Sequence, residues 1–242
     1  MNLAIDIGNT RVKAAVFEGD KLVELYVFDK SKIISETRKI SKKHSISAGI
    51  ISNVATISEK KMAQLKKSVN FQVVSASSKV PFINLYKTPN TLGVDRIALV
   101  AGAVKQFPNK NVLLIDAGTC ITFDFVNSKS EYLGGAISPG IKMRYKALNA
   151  FTANLPLIEA LELNDFIGKN TEESIISGVL NGVQNEINGI IQGYREKYLH
   201  LTVVLTGGDT NFLSKQLKSS IFANQNFLLQ GLNEILKFNQ HK

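Results

Sequence analysis

Two stretches of the chain place an acid at the tip of an apolar strand and follow it with a turn of small residues. Residues 3–17 read LAIDIGNTRVKAAVF, with Asp6 ahead of Gly8, Asn9 and Thr10. Residues 113–125 read LLIDAGTCITFDF, with Asp116 ahead of Gly118 and Thr119. A third glycine turn, Thr206-Gly207-Gly208-Asp209, follows the apolar run LTVVL. Turns rich in Gly and Thr can aim several backbone N–H groups at one point, and such a nest binds phosphate oxygens. Gly lets the backbone approach closely, and Thr10 or Thr119 adds a hydroxyl donor. A carboxylate beside the nest is a poor phosphate ligand by itself. It makes sense where it holds a cation, or a water, that bridges to the phosphate. Taken singly, each motif reads as a tight turn whose Asp satisfies backbone donors. Two copies and a third glycine turn favour phosphate chemistry. The common phosphate loops, a Walker A sequence or Gly-x-Gly-x-x-Gly opening a helix, do not occur in the chain.

The elements that must position these turns repeat. Asp6 and Asp116 lie 110 positions apart, and at that offset Ile5 matches Ile115, Gly8 matches Gly118 and Val16 matches Val126. The following residues alternate, Val12, Ala14 and Val16 in one copy and Ile121, Phe123 and Phe125 in the other. Such alternation marks a half-buried strand, so each copy reads as a β-hairpin. Two hairpins separated by one small domain's length predict two related α/β lobes, residues 1–110 and 111–242. Between them, SEKKMAQLKKSVN reads as an exposed helix capped by Ser58, and FQVVSA as a strand. LGVDRIALVAGAVKQF puts Val94, Ile97, Ala98, Ala101 and Val104 on one helical face, with Gly93 and Asp95 at the helix start. In the second half Asn170 and Glu173 form a capping pair ahead of a long helix. Its apolar residues Ile175, Val179, Val183, Ile187, Ile191 and Tyr194 recur at three- and four-residue spacing. RYKALNAF reads as a packing helix. LTVVL reads as a buried strand, NFLLQ (226–230) as a short strand, and residues 231–238 as a last helix.

The bulk numbers exclude several classes. With 242 residues, 44% hydrophobic and 20% charged, the chain can bury a core without disulfide or metal staples. Cys120 is the single cysteine, so no disulfide framework or zinc cluster can form within the chain, and a small packing role is expected for it. No secretion-type leader opens the sequence, and the longest apolar run, residues 97–104, is far short of the ~18 residues a span requires. A cytoplasmic location without membrane contact is the expectation. The net charge of +9 concentrates in residues 29–44 and 59–67 and reads as a solvated lysine-rich surface. Nucleic-acid binding is the sharper alternative. It is disfavoured because no recognisable module or interleaved aromatics accompany the lysines. A positive field would also gather anionic substrates such as nucleotides. His44, His200 and His241 lack ligand-spaced partners and read as surface residues; Asp124 is left without a role.

Taken together, the Asp-x-Gly-Asn-Thr start, the middle Asp-x-Gly-Thr and the late Gly-Gly-Asp resemble the actin/Hsp70/sugar-kinase superfamily. In that superfamily two ribonuclease-H-like lobes clamp ATP between paired hairpins. The finer pattern is similar to the type III pantothenate kinases. It is carried by DIGNTRVK (6–13), YKTPNTLGVDR (86–96), DAGTCITFD (116–124), GGAISPGI (134–141), Asn170-Thr171 and TGGD (206–209), in family order across nearly the whole chain. Cys120 departs from the smaller Ala or Ser expected there, which touches only local packing. The resemblance implies ATP-dependent phosphorylation of pantothenate, the first step of coenzyme A synthesis. It also implies a homodimer, and potassium or ammonium alongside magnesium.

Carried over residue by residue, the resemblance implies that Asp6, Ile7, Gly8, Asn9, Thr10, Arg11, Val12 and Lys13 form the first phosphate loop and that Thr119 touches ATP. Asp95 is the implied proton acceptor. Tyr86, Gly93, Val94, Asp95, Arg96 and Thr171 line the pantothenate site, Asp116 binds the monovalent cation, and residues 206–209 lie near the nucleoside. The chemistry agrees with these roles. In a loose phosphoryl-transfer transition state the base accepts its proton late, so a weak base suffices. Orientation and charge neutralisation carry most of the catalysis. An acid in the first turn of a helix faces the positive helix terminus, and Arg96 offers a planar fork to a carboxylate. On the residues alone, Asp95 reads as a helix-start acid and Arg96 as a surface ion-pair partner. The family pattern turns that choice. A sugar kinase is the nearest enzymatic rival, and Tyr86 with Gly-x-Asp-Arg argues against it. A transcriptional regulator would be favoured by loss of the acids, yet Asp6, Asp95 and Asp116 are present. A filament-type ATPase would require inserted subdomains that the chain lacks.

Overall fold

The computed structural model describes residues 1–8, 11–53, 57–159, 162, 165–217 and 220–240. The chain forms two compact units, Met1–Asn109 with Val126–Leu133 and Asn226–Lys242, and Lys110–Phe125 with Gly134–Gln225.

In the first unit the apolar run at the N-terminus becomes β1 (Asn2–Ile7), the middle strand of a five-stranded sheet. β2 (Val12–Glu18) runs back antiparallel, pairing Asp6 with Lys13 and Ile7 with Val12, and β3 (Lys21–Phe28) continues the meander. On the other side of β1, β4 (Ala48–Asn53) is parallel and sets Ser52 opposite Asp6, and β5 (Phe71–Val73) completes the order β3-β2-β1-β4-β5. Helices α1 (Ile33–Lys43) and α2 (Glu59–Ser68) pack on one face, where Ile33, Ile40 and Leu65 meet Leu3, Ile5, Val12 and Val16. Ser58 caps α2 as expected, its hydroxyl accepting from the Lys61 N–H. The lysines and Arg38 of these two helices are exposed, as a solvated surface requires.

Helix α3 (Val94–Gln106) is buried on nearly every side from Arg96 to Ala103, which its small and branched side chains allow. It packs along α7 (Phe227–Gln240), which also covers β1. The crossing is made by glycines: a Cβ at Gly231 would stand 1.8 Å from the Ala98 carbonyl oxygen, and one at Gly102 would stand 3.2 Å from the Gly231 Cα. The strand expected at residues 226–230 is instead the start of α7. A five-residue apolar run does not distinguish strand from helix by period, and burial of Phe227, Leu229, Leu232 and Ile235 on α3 decides it. β6 (Ile83–Asn84) is a short strand whose Asn84 pairs with Tyr132.

The second sheet repeats the first. β7 (Val112–Ala117), β8 (Cys120–Val126) and β9 (Glu131–Pro139) form the meander, and β10 (Thr202–Thr206) and β11 (Phe222–Ala223) lie parallel to β7, giving β11-β10-β7-β8-β9-β6. The 110-position offset extends beyond the motifs, since β1 and β7 begin at residues 2 and 112 and β3 and β9 at 21 and 131. α4 (Ile141–Ala150), α5 (Thr171–Lys197) and α6 (Thr210–Gln216) complete this unit. The stripe Ile175, Val179, Val183, Ile187 and Ile191 of α5 is buried against β7 and β8 residues, and Tyr145 of α4 joins it. Asn170 caps α5 by accepting from the Glu173 N–H, while the Glu173 carboxylate accepts from the Lys169 N–H.

The structure corrects the reading of one side chain and gives a place to another. His44 is not a free surface residue: its Nε2 is 2.9 Å from Glu24 and 3.0 Å from the Tyr26 hydroxyl, because β3 runs beside the end of α1. Asp124 is wholly buried on β8; burial, then Tyr198, then the Asp124 charge raise the Tyr194 hydroxyl above its usual pKa. His200 is exposed, and His241 lies outside the described residues.

Candidate active site

Asp6, next to the end of β1, has Lys13 in register on β2 and Ser52 in register on β4. The turn beyond it closes through Gly8, whose N–H donates to the Arg11 carbonyl at 3.2 Å. A Cβ on Gly8 would lie 3.3 Å from that carbonyl, tighter than an ordinary contact, so the turn favours glycine. Asp6 Oδ1 is buried without a hydrogen-bond partner among the described residues. Burial, and then the nearby charge of Asp95, push the Asp6 carboxyl up to about 6; Ser52 and Lys13 act in the opposite sense. Ile7 and Val12 are buried beneath the turn, and Arg11 is exposed. Asn9 and Thr10 lie outside the described residues.

Asp95 sits in the first turn of α3. Its Oδ1 accepts from the Arg96 N–H at 2.8 Å, and a Cβ on the preceding N-cap, Gly93, would fall 2.4 Å from that same oxygen. Glycine therefore leaves the space that the carboxylate occupies. Val94 begins the helix and is half-buried. Arg96 is 6% exposed, and its guanidinium lies 5.5 Å from the centre of the Tyr86 ring. The first unit thus brings Asp6 near Asp95, and Arg96 onto Tyr86.

In the second unit Asp116 is the next-to-last residue of β7, as Asp6 is of β1. Its turn is shorter, with the Gly118 N–H donating to the Cys120 carbonyl at 2.9 Å. Thr119 is exposed at the tip. Two glycines seat this tip. Gly140, the N-cap of α4, lies so close that a Cβ would meet the Gly118 and Thr119 carbonyl oxygens at 2.1 and 2.6 Å. Gly207, at φ +98, would carry a Cβ 2.4 Å from Asp116 Oδ1 and 2.3 Å from the Ala117 oxygen. The late glycine turn is therefore a wall of the Asp116 site, tied by the Asp209 N–H to the Ala117 carbonyl at 3.0 Å. Burial raises the Asp209 pKa, with Lys142 opposing. Thr171 is exposed at the first position of α5. Cys120 is half-buried.

Among the described residues no three His, Cys, Asp or Glu side chains assemble as a metal cluster, and no helix is long and apolar enough to cross a membrane. The Asp116 carboxylate and the Ala117 carbonyl, both packed against Gly207, are hard oxygen donors of the type that cations take.

Sequence reasoning missed Ser52, Phe82 and Tyr132 as neighbours of these groups. Ser52 was legible in principle, as a hydroxyl ending the apolar run GII on a strand parallel to β1. Tyr132 had no local signal, since only the pairing of β6 with β9 brings it to Tyr86.

Comparison with known proteins agrees with this geometry. The family model described as type III pantothenate kinase matches residues 2–193. A type III pantothenate kinase of Christiangramia forsetii is 50% identical over 241 residues, covering 99% of each chain. Among solved structures, a Campylobacter jejuni protein described as a Baf family transcriptional activator superposes with a TM-score of 0.63 at 22% identity, covering 99% of this chain and 100% of that one. A glucokinase from an Antarctic psychrotroph does so with 0.54 at 14% identity, covering 98% of each. These likenesses place the fold in the actin/Hsp70/sugar-kinase class, as the repeated strand order indicates. The chain belongs to the type III pantothenate kinase family.

Proposed function

We propose that the protein transfers the γ-phosphoryl group of ATP to the primary hydroxyl of pantothenate, giving 4'-phosphopantothenate, the opening step of coenzyme A synthesis. The observation that carries this reading is the cluster at the head of α3, an acid beside a buried guanidinium seated on Tyr86. Asp95 accepts the hydroxyl proton as the bond to phosphorus forms, and Arg96 presents its planar fork to the pantothenate carboxylate. Tyr86, Gly93 and Val94 line the same subsite, and Thr171 belongs to it by family pattern. The segment from Asp6 to Lys13, with Thr119, holds the phosphates through backbone N–H groups, hydroxyls and the Lys13 charge.

Magnesium accompanies ATP and neutralises charge on its phosphates when bound. We assign potassium or ammonium to Asp116, whose carboxylate and neighbouring Ala117 carbonyl are the hard oxygen donors such a cation takes. We also propose a homodimer; the exposed side chains of Phe151, Phe166 and Ile167 in the second unit supply apolar surface for it. A lobe division near residue 110, with the C-terminal helix α7 completing the first lobe, and a cytoplasmic location belong to the same proposal.

The test is ADP release from ATP with and without pantothenate, with potassium, ammonium or sodium as the sole monovalent cation. Turnover that requires pantothenate and potassium or ammonium, and that collapses in Asp95→Asn with circular dichroism unchanged, is the expected result. Absence of pantothenate-dependent turnover under every cation would overturn the reading.

A further inference from the structure

The guanidinium of Arg96 is held by a stack that extends beyond the residues so far assigned. The Tyr86 ring, 5.5 Å from the Arg96 guanidinium, stacks on Tyr132 with 6.0 Å between centres and 25° between planes. Tyr132 is wholly buried, and Phe82 meets it edge-on at 6.1 Å and 73°. The backbone fixes the order of these rings. Asn84 pairs with Tyr132, the Leu85 N–H donates to the Tyr132 carbonyl at 3.0 Å, and the Tyr86 N–H donates to Asn84 Oδ1 at 3.0 Å.

We propose that Tyr132 is a positioning residue for pantothenate binding, acting through Tyr86 to hold the Arg96 fork in the plane that a carboxylate requires. The inference rests on the reading of Tyr86 and Arg96 as the pantothenate subsite. An arginine has several rotatable bonds, and bidentate recognition of a carboxylate needs its plane fixed. The face of an aromatic ring supplies that constraint. Tyr86 follows a two-residue strand and is half-buried, so its own orientation depends on what lies against it. The buried, edge-braced ring of Tyr132 is that support. It acts on ground-state binding of one substrate, which sets it apart from a residue that only stabilises the fold.

The experiment is steady-state kinetics of the full chain with both substrates varied, for Tyr132→Leu, Tyr132→Phe, Phe82→Leu and Arg96→Ala, with thermal unfolding alongside. Tyr132→Leu is expected to raise KM for pantothenate about tenfold while KM for ATP and kcat stay within about twofold, and Tyr132→Phe to restore the wild-type value. A folded Tyr132→Leu that leaves pantothenate KM unchanged, or moves both KM values equally, overturns the proposal. Should that variant fail to fold, Phe82→Leu takes its place, with about a threefold rise in pantothenate KM expected from the loosened stack. No rise there overturns the proposal as well. Arg96→Ala separates the two levels. If it leaves pantothenate KM unchanged, the subsite reading falls and the inference with it. If it raises KM where Tyr132→Leu does not, only the positioning role falls.

Discussion

Gly207 and Asp116 are in contact across the tips of β10 and β7: a methyl group on Gly207 would stand 2.4 Å from Asp116 Oδ1. The contact joins the third glycine turn to the second acid-tipped hairpin, two motifs that lie far apart in sequence. It also gives the glycine two independent reasons to be there, the crowded carboxylate and a φ of +98.

Gly207→Ala is therefore expected to cost about 2 kcal/mol or more in stability, from the left-handed backbone and the forced movement of Asp116. Pantothenate-dependent turnover should fall further than the stability loss explains. Its neighbour provides the contrast, since nothing lies within 4 Å of a Cβ on Gly208. Gly208→Ala should leave melting temperature and turnover close to wild type. Equal behaviour of the two variants would remove Gly207 from the Asp116 site.

Gly93→Ala makes a different demand. The atom in the way is Asp95 Oδ1, the end of a side chain that can rotate, and Gly93 itself has an ordinary φ of −59. The fold should survive, with melting temperature near wild type, while the carboxylate is turned from its position. With Asp95 as the proton acceptor proposed above, a fall in kcat of about a hundredfold is expected with little change in unfolding. Unchanged kcat in the folded variant would show that the observed Asp95 rotamer is not the working one.

Much of this arrangement was legible because its signals are local. The caps Ser58 and Asn170, the α5 stripe and both acid-tipped hairpins each lie within a few residues of sequence, where spacing and turn chemistry determine the outcome. The repeat was legible at four matching residues, and the structure extends it to strand order. What sequence did not show depends on pairing between distant strands. Tyr132 reaches Tyr86 through β6, a strand of two residues that leaves no periodic trace. His44 is drawn into Glu24 and Tyr26 by the return of α1 along β3. The motif GGAISPGI marked Gly140, but its contact with the 118–119 carbonyls depends on how α4 returns to the hairpin.

Asp6 makes stability depend on pH in a stated direction. Its folded carboxyl is pushed up to about 6, whereas an unfolded aspartate releases its proton near pH 4. Across that window the folded chain holds a proton that the unfolded chain has lost, so stability falls as pH rises, and the cost is complete above pH ~6. Asp6→Asn removes the cost. Its melting temperature should match wild type near pH 4 and exceed it at pH ~7.5, by an amount corresponding to about 3 kcal/mol. Turnover should be lost in the same variant, a trade of function for stability. A melting-temperature difference independent of pH would show that Asp6 does not titrate in this range.

The helix that carries Asp95 and Arg96 is held along its length by α7, and its closest contact admits no side chain. A Cβ on Gly231 would come within 1.8 Å of the Ala98 carbonyl oxygen, a backbone atom that cannot rotate away. Gly231→Ala must therefore separate the helices, at an expected cost of about 3 kcal/mol, the upper end for an overpacked core. Because α3 would move as a unit, kcat should fall even where the protein remains folded. Gly189, exposed in the middle of α5 with nothing within 4 Å of a Cβ, should respond in the opposite direction. Gly189→Ala removes backbone freedom from the unfolded chain at no steric cost and should stabilise by about 0.5–1 kcal/mol with turnover unchanged. Chemical denaturation of the two variants measures both signs in one series. A Gly231→Ala protein as stable as wild type would mean that the α3–α7 crossing is looser than its geometry implies.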